Sequence, residues 1–239
     1  MMELNKGLWE LEDSSSFYKY LKELQNDDKV EWTTNIVNTN MEVLAIPVPI
    51  LKRVAKEIMK GNYISFLELK LLDNYESTII YGSIINTLKD IELVRKYLDI
   101  YVNYIDNWSS CDILSINLKD KDELFELAIS YINSDKPFVR RVGFRLFFKY
   151  LDNQLYIKRI FSIIDKMYDE GHYYVNMIIA WLLCESFIKN RDMTLTYLKN
   201  NNLNDFVINK MISKCRDSYR VSKGDKEMLL QFKRKICQK

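Results

Sequence analysis

The scarcity of glycine and proline is the feature that most restricts what this chain can fold into. Its 239 residues contain only 6 glycines and 3 prolines. A β-sandwich or an α/β enzyme needs many tight turns or phosphate-binding loops, and both kinds of loop use glycine heavily. The chain is therefore better suited to helices joined by short polar connections. Its 48% hydrophobic residues are enough for a sizeable buried core.

Apolar residues recur at helical spacing along most of the chain. A first helix is expected after the cap residues Asp13–Ser16, and Pro49 suits the first turn of the next one, which Gly61 ends. The intervening residues 29–40 are β-branched and rich in asparagine, which predicts an irregular segment. Further helices are predicted at 63–72, 75–88, 91–105, 108–118, 121–133, 137–150, 154–168, 172–189, 192–200, 204–216 and 222–235.

Short connections make successive helices antiparallel neighbours, as at residues 133–136 and 169–171. Helix pairs that repeat every 35 to 40 residues or so, about the length of known helical repeats, indicate an α-solenoid. The sequence therefore predicts an all-α fold, an α-α superhelix of HEAT-like antiparallel helix pairs. We expect a single curved domain over residues 1–239. Residues 1–48 would form an irregular or helical N-terminal cap, and residues 49–239 the repeats.

The charge is small overall but unevenly distributed. The net charge is +2 at pH 7, yet ten basic residues and only three acidic ones lie between residues 210 and 239. On charge alone, a phosphate-binding surface and a solvated terminal helix fit this stretch equally well.

The cysteines give no sign of metal chemistry. Cys111, Cys184, Cys215 and Cys237 lack metal-ligand spacing, and His172 is the only histidine. We therefore expect no metal, no other cofactor and reduced thiols in the cytoplasm. The first 13 residues are too polar for a signal peptide, and no uncharged run is long enough to cross a bilayer. A cytoplasmic monomer without a membrane partner is expected.

Three segments hold residues that core packing alone does not explain. In WSSCD, Asn107 can cap a helix that carries Trp108 in its first turn and Asp112 one turn later on the same face. A packed indole beside a solvated carboxylate fits this pair as well. In FVRRVGFR, Arg140 and Arg141 begin an apolar helix, where the helix dipole opposes cations. A carboxylate, a helix C-terminus or a phosphate should therefore compensate their charge. The third segment, YYVNMIIAWLLCESF, carries Trp181, although core packing explains most of it.

Taken in order and followed by NKMISKCRDSYRVS, these segments resemble the AlkD family of DNA alkylation repair glycosylases, from about residue 43 to residue 234. That family is a HEAT-like stack whose concave face binds duplex DNA. The resemblance implies excision of cationic N3- or N7-alkylated purines. Because these bases already carry a positive charge, their glycosidic bond is weak and needs no general acid.

The resemblance also assigns roles to single residues. The family's W-x-x-x-D pair matches Trp108 and Asp112, its arginine matches Arg141, and its second tryptophan matches Trp181. It implies that Asp112 stabilises the sugar cation and that the two indoles face the cationic nucleotide. Arg141 would pair with Asp112 or with a phosphate. The candidates for nucleic-acid contacts are Arg140, Lys210, Lys214, Arg216 and Arg220.

One departure from the family pattern bears on DNA binding. Active members insert a basic N-terminal helix into the minor groove, whereas residues 31–40 contain no lysine or arginine. A divergent paralogous branch lacks that helix, and the near-neutral charge agrees with that branch and with weak DNA binding. The leading hypothesis is an AlkD-like glycosylase. The alternative is a non-catalytic HEAT-like scaffold that binds DNA or a protein. A thiol hydrolase using Cys111 and His172 is disfavoured because no oxyanion loop is evident.

Overall fold

The fold is built from helices, as a computed structural model of the chain shows for residues 2–235. Those residues form fourteen α-helices and no β-strand, and the prediction of an all-α protein is confirmed. Cys237 and the last of the ten C-terminal basic residues, Lys239, lie outside the described residues. The chain divides into two compact units, Met1–Leu127 and Ala128–Lys239.

The first unit holds seven helices and the beginning of an eighth, which continues into the second unit. Their bounds are α1 Asp13–Glu23, α2 Val30–Val37, α3 Val48–Ile58, α4 Tyr63–Glu68, α5 Tyr75–Ile85, α6 Ile91–Tyr101, α7 Trp108–Asp112 and α8 Lys121–Ile132.

Helix α5 forms the centre of the first unit. It packs against α3, α6 and α7, and ten of its 11 residues are buried. Fully burying an aliphatic side chain contributes roughly 1.5–3 kcal/mol, and Ile79, Ile80 and Ile84 have no exposed surface. Such a helix cannot leave its polar groups unpaired. The Glu76 carboxylate accepts the backbone N–H of Leu44 at 3.0 Å and thereby holds the segment that precedes α3.

The prediction that residues 29–40 are irregular was wrong, because a helix lies there. A 3₁₀ turn at Asp27–Lys29 leads directly into α2. The Thr34 hydroxyl donates to the carbonyl of Val30 at 2.8 Å, and Asn38 ends the helix with a left-handed φ of 55°. Each β-branched residue costs only about 0.5 kcal/mol of helix propensity, so burial of Val37 and other tertiary contacts can override the local preference.

The predicted helix at 108–118 is shorter than expected, because α7 ends at Asp112. The side chain of Asn86 donates to the carbonyl of Ile113 at 2.9 Å and accepts the N–H of Ser115. These bonds replace helical ones, and residues 114–118 form no regular secondary structure. The first helix also begins earlier than expected, at Asp13. The other predicted helices are present, and 3₁₀ turns follow three of them, at Phe147–Tyr150, Asp165–Met167 and Leu230–Phe232.

The second unit contains the end of α8 and six further helices, and α11 forms its centre. Helix α11 packs against the helices on either side of it in the unit, α9, α12 and α13. Its buried residues include Val175, Ile178, Ile179 and Leu183. The bounds are α9 Pro137–Leu146, α10 Gln154–Ile164, α11 Tyr173–Lys189, α12 Arg191–Lys199, α13 Asp205–Asp217 and α14 Lys223–Leu229.

The close approach of α9 to α8 depends on Gly143. A Cβ atom added there would lie 2.6 Å from the carbonyl oxygen of Ala128 and 2.9 Å from the backbone nitrogen of Ile132. Both are backbone atoms of α8, which cannot move aside as a flexible side chain can. Only a residue without a side chain lets α9 lie this near to α8.

We expect Gly143→Ala to lower the free energy of unfolding by about 1–3 kcal/mol, the usual cost of overpacking. Urea denaturation followed by circular dichroism measures the change. Gly224→Ala is the matched control, since nothing lies within 4 Å of a Cβ at that position of α14. The control should be neutral or slightly stabilising, because alanine favours a helix over glycine by up to about 1 kcal/mol. Equal effects of the two substitutions would contradict the close-approach argument.

Candidate functional site

Helix α7 is a single capped turn that carries two of the predicted site residues. The side-chain oxygen of Asn107, which is fully buried, accepts the N–H of Ser110 at 2.9 Å and caps the helix. Trp108 begins the turn and Asp112 ends it, four residues later. This spacing places the two side chains on one face of the helix.

The three residues between them anchor α7 to α5 and α6. Ser109 shares a hydrogen bond of 2.8 Å with the hydroxyl of Tyr75, whose pKa is raised by burial. Ser110 shares one of 2.6 Å with Thr78, and its carbonyl accepts the Tyr101 hydroxyl at 2.8 Å. Ser110 and Cys111 are buried, whereas Trp108 and Asp112 are partly exposed. The SSC sequence is therefore structural, and the outer two residues remain accessible.

Trp108 is also fixed from outside its own helix. Its indole N–H donates to the carbonyl of Ile36 at 3.1 Å, near the C-terminal end of α2. Asp106 binds the same segment, because its carboxylate accepts the hydroxyl of Thr39 and the N–H of Asn40. The segment that follows α2 is thus held directly against the beginning of α7.

Arg140 is held in a bidentate ion pair. Its Nε donates to Glu170 Oε2 at 2.8 Å and its Nη2 to Glu170 Oε1 at 3.1 Å, while Nη1 donates to the carbonyls of Ser134 and Asp135. The carboxylate and the carbonyls that follow α8 together compensate a cation in the first turn of α9. The Glu170 side chain is only 5% exposed.

Arg141, the adjacent arginine, has a different environment. It is 5% exposed, and its Nη1 donates to the carbonyl of Tyr174 in the first turn of α11 at 2.5 Å. This bond joins the beginning of α9 to the beginning of α11, the helix that carries Trp181.

Trp181 lies in a cluster of charged and aromatic side chains. Its ring centroid is 4.5 Å from that of Phe148, and the guanidinium of Arg145 lies 5.7 Å from it. Its indole N–H donates to Glu185 at 3.3 Å. Glu185 also forms a bidentate ion pair with Arg220, and the hydrogen bond to Glu185 raises the pKa of Arg220. The Trp181 ring therefore already accepts a cation within its own unit.

The remaining basic candidates are less constrained. Lys210 lies over the ring of Phe206, with its Nζ 5.6 Å from the centroid. Lys214 and Arg216 form no ion pair with any residue in the range 2–235. Of the five residues predicted to contact nucleic acid, Arg140 and Arg220 are thus in ion pairs, whereas Lys210, Lys214 and Arg216 are not.

Several other features bear on the kind of chemistry. Within residues 2–235, no group of three or more metal-binding side chains is found, and no helix is long and apolar enough to span a membrane. Cys111, Cys184 and Cys215 are buried and form no disulfide within residues 2–235, and the thiol of Cys111 donates to the carbonyl of Asn107 at 3.3 Å. A thiol so placed cannot reach a substrate.

The predicted residues fall into two local groups. Trp108 and Asp112 share α7 in the first unit, and Arg141 and Trp181 lie on α9 and α11 of the second unit, which pack against each other. Sequence reasoning missed Glu170 and Glu185. A signal for Glu170 was available, because the helix dipole opposes the charge of Arg140 in the first turn of α9 and a nearby carboxylate can compensate it. Glu185 follows Trp181 by four residues, which places it on the same face.

Comparison with known proteins identifies one family. Residues 18–213 match the family model described as DNA alkylation repair enzyme, and this range includes α7, α9 and α11. No curated protein matches the sequence.

Replacing Trp108 with phenylalanine should loosen the end of α2. The substitution keeps an aromatic ring but removes the N–H that binds the Ile36 carbonyl, a bond worth about 1 kcal/mol. Hydrogen exchange of the amides from residue 36 to residue 40 should therefore accelerate by about fivefold. Trp32→Phe is the control, because Trp32 lies on α2 and is 63% exposed. Unchanged exchange in Trp108→Phe, or equal acceleration in both variants, would contradict this anchoring.

Proposed function

Because the chain belongs to the DNA alkylation repair enzyme family, we propose that it is a DNA glycosylase that excises cationic N3- or N7-alkylated purines from duplex DNA. The observation that carries the proposal is the arrangement of α7. Its three middle residues are used for packing, and Trp108 and Asp112 remain partly exposed one turn apart. A carboxylate beside an indole suits a substrate that is cationic and develops further positive charge on its sugar.

The chemistry requires little from the protein. The bond between the sugar C1′ and the purine nitrogen breaks with its electron pair going to the base, which leaves as a neutral molecule. The sugar acquires oxocarbenium character, and water adds to C1′ with release of a proton. In this proposal the Asp112 carboxylate stabilises the positive sugar and orients that water.

Aromatic rings and cations supply the remaining interactions. Trp108 and Trp181 would offer π faces to the charged nucleotide, and the Arg145 guanidinium over Trp181 supports this because that ring already attracts a cation. Arg141 would interact with an anionic group, either Asp112 or a DNA phosphate. Lys210, Lys214 and Arg216 would contact phosphates. Each phosphate contact steepens the salt dependence of binding by about one unit in a log–log plot.

A second candidate function is a weak DNA-binding scaffold without glycosylase activity. It is favoured by helix α2, which occupies residues 30–37 but contains no lysine or arginine. The ion pairs of Arg140 with Glu170 and of Arg220 with Glu185 also reduce the positive charge available to a polyanion.

Under the glycosylase proposal, Asp112→Asn should lower the single-turnover excision rate on a duplex with one 7-methylguanine by about 100- to 1,000-fold. Asparagine keeps the shape of the side chain but removes the charge that meets the sugar cation. The rate is measured by cleavage at the resulting abasic site. Folding and duplex binding should stay nearly intact, because asparagine has the same shape and keeps an oxygen that accepts hydrogen bonds.

Asp73→Asn is the control. Asp73 is exposed, lies in the same unit and forms no hydrogen bond or ion pair within residues 2–235. It removes the same charge without touching α7, so its excision rate should equal that of the wild type. An Asp112→Asn rate within a few-fold of the wild type would refute the assigned role of Asp112. Binding of duplex without excision by the wild type would favour the scaffold.

A further inference from the structure

A cleft between α13 and α14 carries a concentration of positive charge of which the proposed repair function uses only Arg216. Its volume is about 410 Å³, within the range of sites that hold small molecules. Four cationic side chains and two carboxylates line it, which leaves a net charge of +2. The cations are Arg216, Lys223, Lys226 and Lys233, and the carboxylates are Asp217 and Glu227.

Within residues 2–235, none of these six side chains forms an ion pair. The side chains of the four cations also form no hydrogen bond in that range. In the same unit, by contrast, Arg140, Arg220 and Arg191 are all paired with carboxylates. The cations of the cleft are thus left available to an external anion.

The one acidic residue in the first turn of α14 is directed to a different partner. Asp225 binds Arg191 at 2.7 Å and accepts the Ser222 hydroxyl at 2.9 Å. It is therefore not available to offset Lys223, which begins the helix, or Lys226, which lies three residues later. Four like charges around one volume repel one another. An anion bound among them would remove that repulsion.

The walls of the cleft give it a definite form. Ile212 is buried and Leu230 half-buried, and they supply an apolar floor from α13 and from the turn after α14. The side chain of Asn209 accepts the backbone N–H of Arg234 at 2.9 Å and donates to its carbonyl at 2.8 Å. These two bonds hold the segment that carries Lys233 against α13.

We propose that this cleft binds a compact ligand that carries two or three linked phosphate groups, such as a nucleoside diphosphate or triphosphate. A duplex spreads its phosphates along a line, at about one charge per 1.7 Å of axis. The cations here instead approach a single volume from two helices, which suits clustered phosphates. Lysine and arginine both bind phosphate through charge-assisted hydrogen bonds.

Calorimetric titration of the full-length protein with inorganic tripolyphosphate tests the proposal. The wild type should bind one equivalent, and Lys223→Ala/Lys226→Ala should raise the dissociation constant by about tenfold or more, the loss expected for charge-assisted bonds. A second variant, Arg216→Glu, should weaken binding at least as much because it reverses a charge. Unfolding temperatures close to that of the wild type show that the variants are folded.

Lys166→Ala/Lys199→Ala is the matched control. It removes two exposed cations of the same unit that do not line the cleft. Its affinity for tripolyphosphate should stay within twofold of the wild type. A parallel titration with ADP tests whether a nucleoside is accepted together with the phosphates, and its affinity should fall in the same two cleft variants.

A short unmodified duplex distinguishes this site from DNA backbone binding. Its affinity should be the same in Lys223→Ala/Lys226→Ala and in the matched control. Absence of tripolyphosphate binding, or equal loss in cleft and control variants, would overturn the proposal. The wild type could also fail to bind tripolyphosphate while Lys223→Ala/Lys226→Ala loses affinity for the duplex. That result would overturn the proposal and assign these lysines to the DNA backbone. Since excision is not measured, none of these results depends on the glycosylase proposal.

Discussion

The partly buried ion pair between Arg140 and Glu170 joins the starts of the two helices, α9 and α11, that carry the candidate residues of the second unit. Glu170 receives two bonds from Arg140, its carboxylate also accepts the N–H of His172 at 2.8 Å, and its carbonyl accepts the side chain of Asn176. One residue thus fixes the start of α9 and the start of α11. Removing one partner of a fully buried pair costs about 3–5 kcal/mol, because the other charge is left uncompensated, and the partial exposure of Arg140 makes the cost here smaller. This contact therefore helps to position Arg141, the next residue of α9, and the start of α11, the helix that carries Trp181.

Both units position their candidate residues through immediate neighbours in sequence. In the first unit, Ser109 and Ser110 anchor α7 to α5 and α6, which leaves Trp108 and Asp112 partly exposed. In the second unit, Arg140 forms the ion pair with Glu170, and the adjacent Arg141 donates to the carbonyl of Tyr174. A substitution at an anchoring residue should therefore disturb the candidate residues without touching them. In both short motifs, WSSCD and FVRRVGFR, residues next to the candidates make the structural contacts.

Much of the fold could be predicted from the sequence, because scarce glycine, few prolines and apolar periodicity all favour helices. The errors occurred where side chains bind the backbone. The Asn86 side chain binds the backbone of residues 113 and 115, so α7 stops at Asp112. In α2, the Thr34 hydroxyl binds a backbone carbonyl and Asn38 ends the helix in a left-handed conformation. The motif order indicated the family, which residues 18–213 confirm. The partners of Arg140 and Arg220 could not be predicted, since Glu170 and Glu185 lie 30 and 35 residues away in sequence.

The most direct test of this account is the release of methylated bases from duplex DNA treated with a methylating agent. Purified wild-type protein is incubated with the DNA, and the free purines are separated by chromatography and compared with a reaction without protein. The account predicts that 3-methyladenine, 7-methylguanine or both appear faster than by spontaneous loss, and that unmethylated purines do not. Folded protein that releases neither base above the spontaneous rate would contradict it.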